Sequence, residues 1–217
     1  MDRTITVSGR GSLRLPPDQI ELPVNLRAED TDYAAALKKG EVQLAELVSA
    51  LTAAGVSTDC LRETEYAVSP VYDSEQDGRG RYRQVFRGYE SRRSVRVRFD
   101  LDRALLGRTV AALAACESAP DFSVSFTLKD RESAKSALLA KAAQDAKRKA
   151  EALCAASDVR LGALLQVRCG LTEPEFYSRS NMRLAAAKMS MDGFGQAAPD
   201  PEEIEVEEEV VFLWAIE

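Results

Sequence analysis

The run Arg131–Ser157, RESAKSALLAKAAQDAKRKAEALCAAS, constrains the fold more than any other stretch of the chain. It holds neither Gly nor Pro, and Ala134, Leu138, Ala142, Ala146 and Ala150 recur every fourth residue before Leu153 and Cys154. Residues spaced this way share one helix face, so the run lays down a single apolar stripe. Because that stripe is mostly methyl groups, the helix axis can lie close to whatever it covers. Lys135, Lys141, Lys147, Arg148 and Lys149 fall largely off it and keep the outer face in water. Most other segments alternate apolar and polar residues with the period of two that marks half-buried strands, so the covered surface is expected to be a sheet.

Residues 4–15 alternate through Ile5, Val7, Gly9, Gly11, Leu13 and Leu15, a strand whose glycines mark a bend or a close approach. Pro16-Pro17-Asp18 interrupts it, and Ile20, Leu22, Val24 and Leu26 resume on a second strand, in which Pro23 suggests an edge or a bulge. Thr31 or Asp30 can cap a helix over 32–54, with Leu37, Leu44, Leu47, Val48 and Leu51 facing inward and Gly55 ending it. Two long strand-like segments, 60–72 and 82–101, flank a polar stretch, DSEQDGRGR at 73–81, that reads as an exposed hairpin loop.

Asp102 can cap a short helix through Ala115, and Phe122, Val124, Phe126 and Leu128 alternate as a further strand. Another runs over 159–171. From Thr172 to Pro201 no period holds, although MRLAAAKM at 182–189 has the composition of a short helix. The last strand places Ile204, Val206, Val210, Phe212, Trp214 and Ile216 on one face, and Glu208 interrupts that face, as a bulge would or a strand that leaves the core part-way. The expectation is one α+β domain over 1–217 with an irregular excursion at 172–201. Its sheet would be mainly antiparallel, of about seven strands, with two long helices and one short helix packed on one face.

The sequence contains no histidine, which removes Ser-His-Asp and Cys-His catalysis and every histidine-containing metal site. Cys60, Cys116, Cys154 and Cys169 form no C-x-x-C pair, so zinc-ribbon and thioredoxin readings fail on spacing, and buried free thiols are expected for Cys116 and Cys154. A Gly9-Arg10-Gly11 phosphate loop fails for want of a third glycine and a following helix. No cofactor or metal is expected. A net charge of −6 speaks against general nucleic-acid binding, and no apolar run is long enough to span a membrane. With a strand pattern starting at Thr4, the chain as written is expected in the cytoplasm, or in the periplasm if a signal peptide has been trimmed.

The order of several loose motifs resembles the SIMPL domain family across nearly the whole chain. These are V-S-G-R-G-S followed by Pro17-Asp18, the helix ending in Ala-Ala-Gly55, V-S-P-V-Y at 68–72, and G-Y-E-S-R-R-S-V-R-V from Gly88. D-A-K-R-K-A-E-A-L at 145–153, Leu161-Gly162 and Pro201-x-x-Ile204-Glu205-Val206 continue the likeness. The resemblance implies a bacterial protein, in many members linked to the envelope and to stress tolerance. It implies no agreed catalytic residues.

Two groups of residues are candidate sites. Arg92, Arg96 and Arg98 share one strand face and could bind an anion, or could pair with Glu205, Glu207 and Glu209 if the last strand is a neighbour. Trp214, beside Phe212 and Ile216, has core packing as its ordinary explanation; the alternative makes Phe212 and Trp214, with Phe176 and Tyr177 of the late excursion, candidate subunit contacts, since aromatics are enriched at interfaces. The functional expectation is a non-enzymatic scaffold that forms homo-oligomers or binds another protein. The alternative is a small-molecule or anion-binding module that uses the arginines or the excursion.

Overall fold

The computed structural model describes residues 3–76, 80, 82–170, 174–180, 182–184 (backbone alone) and 200–217. They fall into two compact units, one made of 1–18, 127–179 and 201–217, the other of 19–126 and 180–200. The class is α+β, as the periodicities imply, but the strands divide between two sheets instead of forming one. Pro16-Pro17-Asp18 is the point at which the chain leaves the first sheet for the second.

The second unit contains β2 (Gln19–Asp30), α1 (Tyr33–Ala53), β3 (Leu61–Gln76), β4 (Tyr82–Asp100), α2 (Arg103–Ala115), β5 (Asp121–Thr127) and β7 (Met182–Leu184). Its strand order is β3-β4-β2-β5-β7. The first six elements therefore have the connectivity and order of a split β-α-β, or ferredoxin-like, sheet. Asp32 and Asp102 cap their helices, each accepting from the backbone N–H three residues on, Ala35 at 2.9 Å and Leu105 at 3.0 Å. Gly55 ends the first helix region at φ 98°, where a side chain would be strained. Ile20, Leu22 and Val24 of β2, Val95 and Val97 of β4, Leu47 and Leu51 of α1 and Leu106 and Leu113 of α2 make the core. Each such side chain contributes roughly 1.5–3 kcal/mol on burial.

Three local expectations change here. Asp73–Gln76 is strand, not loop, because Arg87 of β4 reaches across to Asp73 at 2.8 Å and to Glu75 and ties the ribbon together. Met182–Leu184 pairs with Phe122–Val124, so the start of the expected helix is strand: the outer side of β5 offers backbone partners that local propensity cannot match. Residues 185–189 lie outside the described residues. Pro23 sits in an interior strand, in register opposite Arg96.

The first unit contains β1 (Thr4–Leu15), α3 (Arg131–Ala156), β6 (Leu161–Cys169) and β8 (Ile204–Ile216), with strand order β1-β8-β6. β1 and β8 pair without a break, so Glu208 makes no bulge; it stays in register opposite Gly11, with its carboxylate beside Gly170. Asp130 caps α3 through Ser133 N–H at 2.8 Å. Ala134, Leu138, Ala142, Ala146, Ala150 and Cys154 are all buried, which is the stripe of the sequence residue for residue. Ala142, Ala146 and Ala150 share a core with Val7, Val210, Phe212 and Trp214. All four cysteines are free, with Cys116 and Cys154 buried. Among the described residues no helix is long and apolar enough to cross a membrane.

Candidate functional site: the arginine face and the sheet edges

The ladder brings Arg92, Arg96 and Arg98 together on the face of β4 opposite Val95, Val97 and Phe99. Each faces a carboxylate already. Glu21 of β2 stands opposite Arg98 in the register and is 6% exposed. It accepts from Arg98 Nε at 2.6 Å and lies 3.8 Å from Arg96 Nε. Arg92 Nε donates to Glu90, also buried. A buried carboxylate is costly unless charge and hydrogen bonds compensate it, and these arginines supply both. The glutamates of the last strand are engaged elsewhere: Glu205 with Arg14 at 3.0 Å and Glu207 with Arg10 at 3.5 Å. They do not meet the arginine stripe in a ladder because β8 lies between β1 and β6, while the neighbours of β4 are β3 and β2.

The sequence reading passed over Glu21, Glu90 and Arg93. Arg93 is buried against α1, where its Nη1 donates to Glu63 at 2.8 Å and its guanidinium lies 3.9 Å from the centroid of Tyr66. Counting back by two from Val95 reaches Arg93, so the period alone places it on the apolar face. Gly40 of α1 makes the room: a Cβ there would stand 2.4 Å from Ser91 Oγ and 3.6 Å from Arg93 Nε. Among the described residues no three Cys, Asp or Glu side chains gather as a metal ion would need.

The aromatic candidates lie within the first unit. Phe212 and Trp214 stack at 5.3 Å with planes 17° apart, and both are buried in the layer under α3. Phe176 is buried against Leu138, Ile204 and Val206, and its carbonyl accepts from Thr127 Oγ1 at 2.6 Å. Tyr177 bridges Thr127 and holds the Arg131 guanidinium 4.9 Å from its ring centroid. The exposed apolar surface is next to them, on β6. Leu164 pairs with Trp214 and Val167 with Phe212 in the register, yet these two residues are 51% and 45% exposed, and Leu165 is 54% exposed.

The outer strands are treated differently. On β1, Lys149 Nζ donates to the Ser8 carbonyl at 3.2 Å, Asp145 accepts from Arg10 N–H at 2.9 Å, and Lys141 Nζ donates to the Ser12 carbonyl at 3.1 Å. Residues 141, 145 and 149 occupy successive turns of α3 and serve alternate positions of the strand, so the helix stands where another strand would pair. β3 carries Glu63, Glu65, Asp73 and Glu75, includes Pro70 and has a register shift between Glu63 and Glu65. β6 has register shifts between Leu161 and Gln166, but Arg168 is its only charged residue.

Asp145 also gives a pH signature. The Lys149 ammonium, then the Arg10 N–H and Arg148, hold its carboxyl far below the ordinary value of 3.8, against a smaller opposing effect of burial. A folded-state pKa lowered in this way contributes stability above the ordinary value, and that contribution disappears as pH falls through the folded one. Asp145→Asn is therefore expected to lower stability at neutral pH and to flatten its decline below about pH 4. Urea midpoints taken across an acid series measure both effects; parallel acid arms for the two proteins would remove Asp145 from the account.

A family model described as SIMPL, protein of unknown function (DUF541), matches residues 5–212. The chain belongs to the SIMPL family. No curated protein matches it. Among solved structures, this SIMPL protein is similar to the regulatory subunit of aspartate kinase from Thermus flavus at 10% identity, covering 96% of this chain and 89% of that one, with a TM-score of 0.20. At that score the likeness says nothing about fold or function.

Proposed function

We propose that this SIMPL protein is a non-enzymatic scaffold that assembles with copies of itself through β6, in the stress-related role the family resemblance implies. One observation carries the reading: β6 is an outer strand bearing exposed Leu164, Leu165 and Val167 and a single charge, Arg168. Natural sheets usually blunt such strands with charge, proline or cover, as β1 and β3 do here; an apolar one invites a partner. A second copy is the occupant that meets no electrostatic objection along the strand. In an antiparallel pairing about Leu165, Arg168 would stand opposite Gly162 and Val167 opposite Ala163, so large residues meet small ones and no charge meets its like.

Light scattering over a dilution series is expected to give a fixed mass that is a multiple of 23.8 kDa. Leu164→Lys with Val167→Lys is expected to reduce it to the single-chain value and, because both side chains are exposed on the single chain, to leave the unfolding midpoint at low protein concentration unchanged. A single-chain mass for the natural sequence at every concentration would end the assembly reading.

A second reading, anion binding on the arginine face, has one observation in its favour. Arg27 stands opposite Arg92 and Arg62 opposite Arg96, and like charges directly opposed destabilise a sheet. Stabilisation by phosphate beyond that given by chloride of equal ionic strength would support it.

A further inference from the structure

A groove of about 650 Å³ runs between α1 and the end of β2, with Glu117 and Ser118 in its wall. It exists because β2 has 12 residues and its neighbour β5 has 7, so the last part of β2 outruns that neighbour. Side chains of α1 serve the exposed carbonyls: Gln43 Nε2 donates to Arg27 O at 3.0 Å and Lys39 Nζ to Glu29 O at 3.2 Å. The first of these bonds fixes the amide of Gln43, nitrogen toward the strand. Its Oε1 is then left buried with no hydrogen-bond partner, and Ser118 Oγ in the same groove is buried and unpartnered too. Buried acceptors without donors are rare in folded proteins, and two lining one concavity mark a place where a donor belongs.

The charges around them narrow its chemistry. Lys38 lines the groove with no ion-pair partner among the described residues, whereas Lys39 is engaged by Asp30 at 2.6 Å; Arg27 contributes its backbone carbonyl, its side chain standing opposite Arg92 on the other face of the sheet. Glu29, Glu46 and Glu117 line it as well, and Glu46 already accepts from Glu117 N–H at 2.6 Å. A bare anion would meet these carboxylates and leave Gln43 Oε1 unmet. A bare amine would leave Lys38 unmet. Val42, Ala28 and Ala35 supply apolar wall, and the volume lies in the range of small-molecule sites.

We infer that the groove binds a small zwitterion, a free amino acid, whose ammonium donates to Gln43 Oε1 and Ser118 Oγ and whose carboxylate faces Lys38. This site is independent of assembly through β6. The test uses the full chain and individual free amino acids at millimolar concentration, read by thermal melting and calorimetry, with the N-acetyl and carboxamide derivatives of each as controls. At least one amino acid is expected to raise the melting temperature. Either derivative should bind at least about tenfold more weakly, because a site built for a donor or a charge rejects the analogue that lacks it. Gln43→Leu should weaken binding by at least as much; should that variant fail to fold, Ser118→Ala and the exposed Lys38→Glu carry the same expectation. No shift with any free amino acid would mean that water alone satisfies the two oxygens and would overturn the inference. Equal binding of the N-acetyl form, or unchanged binding in both Ser118→Ala and Lys38→Glu, would overturn it too.

Discussion

Gly9→Ala and Gly11→Ala are each expected to lose about 4 kcal/mol or more, enough to remove most soluble protein, since folded chains hold only about 5–15 kcal/mol in reserve. A Cβ on Gly9 would stand 2.0 Å from Ala142 O, 2.6 Å from Ala146 Cβ and 2.7 Å from Ala146 N; on Gly11 it would stand 2.1 Å from Leu138 O. Most of these atoms are helix backbone, so no rotamer change relieves the contact. The helix would have to back away, and in doing so would lift Ala142, Ala146 and Ala150 from Val7, Phe212 and Trp214 and stretch the bonds from Lys141, Asp145 and Lys149 to the edge of β1. Interiors are packed too closely to absorb such a shift. Gly170→Ala is the control, since its nearest obstacle is a Glu208 carboxylate oxygen at 3.4 Å, the far end of a flexible side chain. Urea unfolding of the three variants measures the difference. A loss under about 1 kcal/mol at Gly9 would falsify the close approach of helix and strand.

That approach is written in the sequence twice, as methyl groups at every fourth residue of 134–150 and as glycines at alternate positions of one strand. Local periods were legible, because each depends on a few neighbouring residues: Asp102 caps its helix and the buried face of α3 is the predicted one, whereas the first helix is capped by Asp32, not by Thr31 or Asp30, since it is the Asp32 carboxylate that meets Ala35 N–H. Partner choice was not legible. A period of two says which side chains share a face and leaves open which strand lies alongside. Arg98 finds Glu21 across 77 residues, and nothing local distinguishes that carboxylate from Glu205 or Glu207. Burial of Phe212 and Trp214 against exposure of Leu164 and Val167 has the same origin. All four lie on apolar strand positions, and only the placement of α3 over β1 and β8 separates core from surface. Met182–Leu184 shows the reverse case, a short segment whose helical composition yields to an open strand beside it.

Trp214→Ala is expected to cost about 3–5 kcal/mol, and the reason lies in what covers the ring. Trp214 is stacked on Phe212 beneath Ala142, Ala146 and Ala150, whose methyl groups are too short to fill the space its indole would leave. The helix cannot sink to close the gap, since it already rests on Gly9 and Gly11. A cavity that cannot collapse carries the full cavity penalty in addition to the lost transfer energy. This separates the two roles an aromatic on the last strand could have. Trp214→Ala should lower the urea midpoint and leave mass per assembled particle unchanged among molecules that remain folded. Leu164→Lys with Val167→Lys should lower the mass and leave the midpoint at low protein concentration unchanged. The separation sharpens with concentration, because assembly of folded chains makes the unfolding midpoint rise with protein concentration, and only the β6 variant should abolish that rise. Were Trp214→Ala instead to leave stability within about 1 kcal/mol and halve the mass, the indole would belong to a subunit contact and the layer beneath α3 would not be this chain's own core.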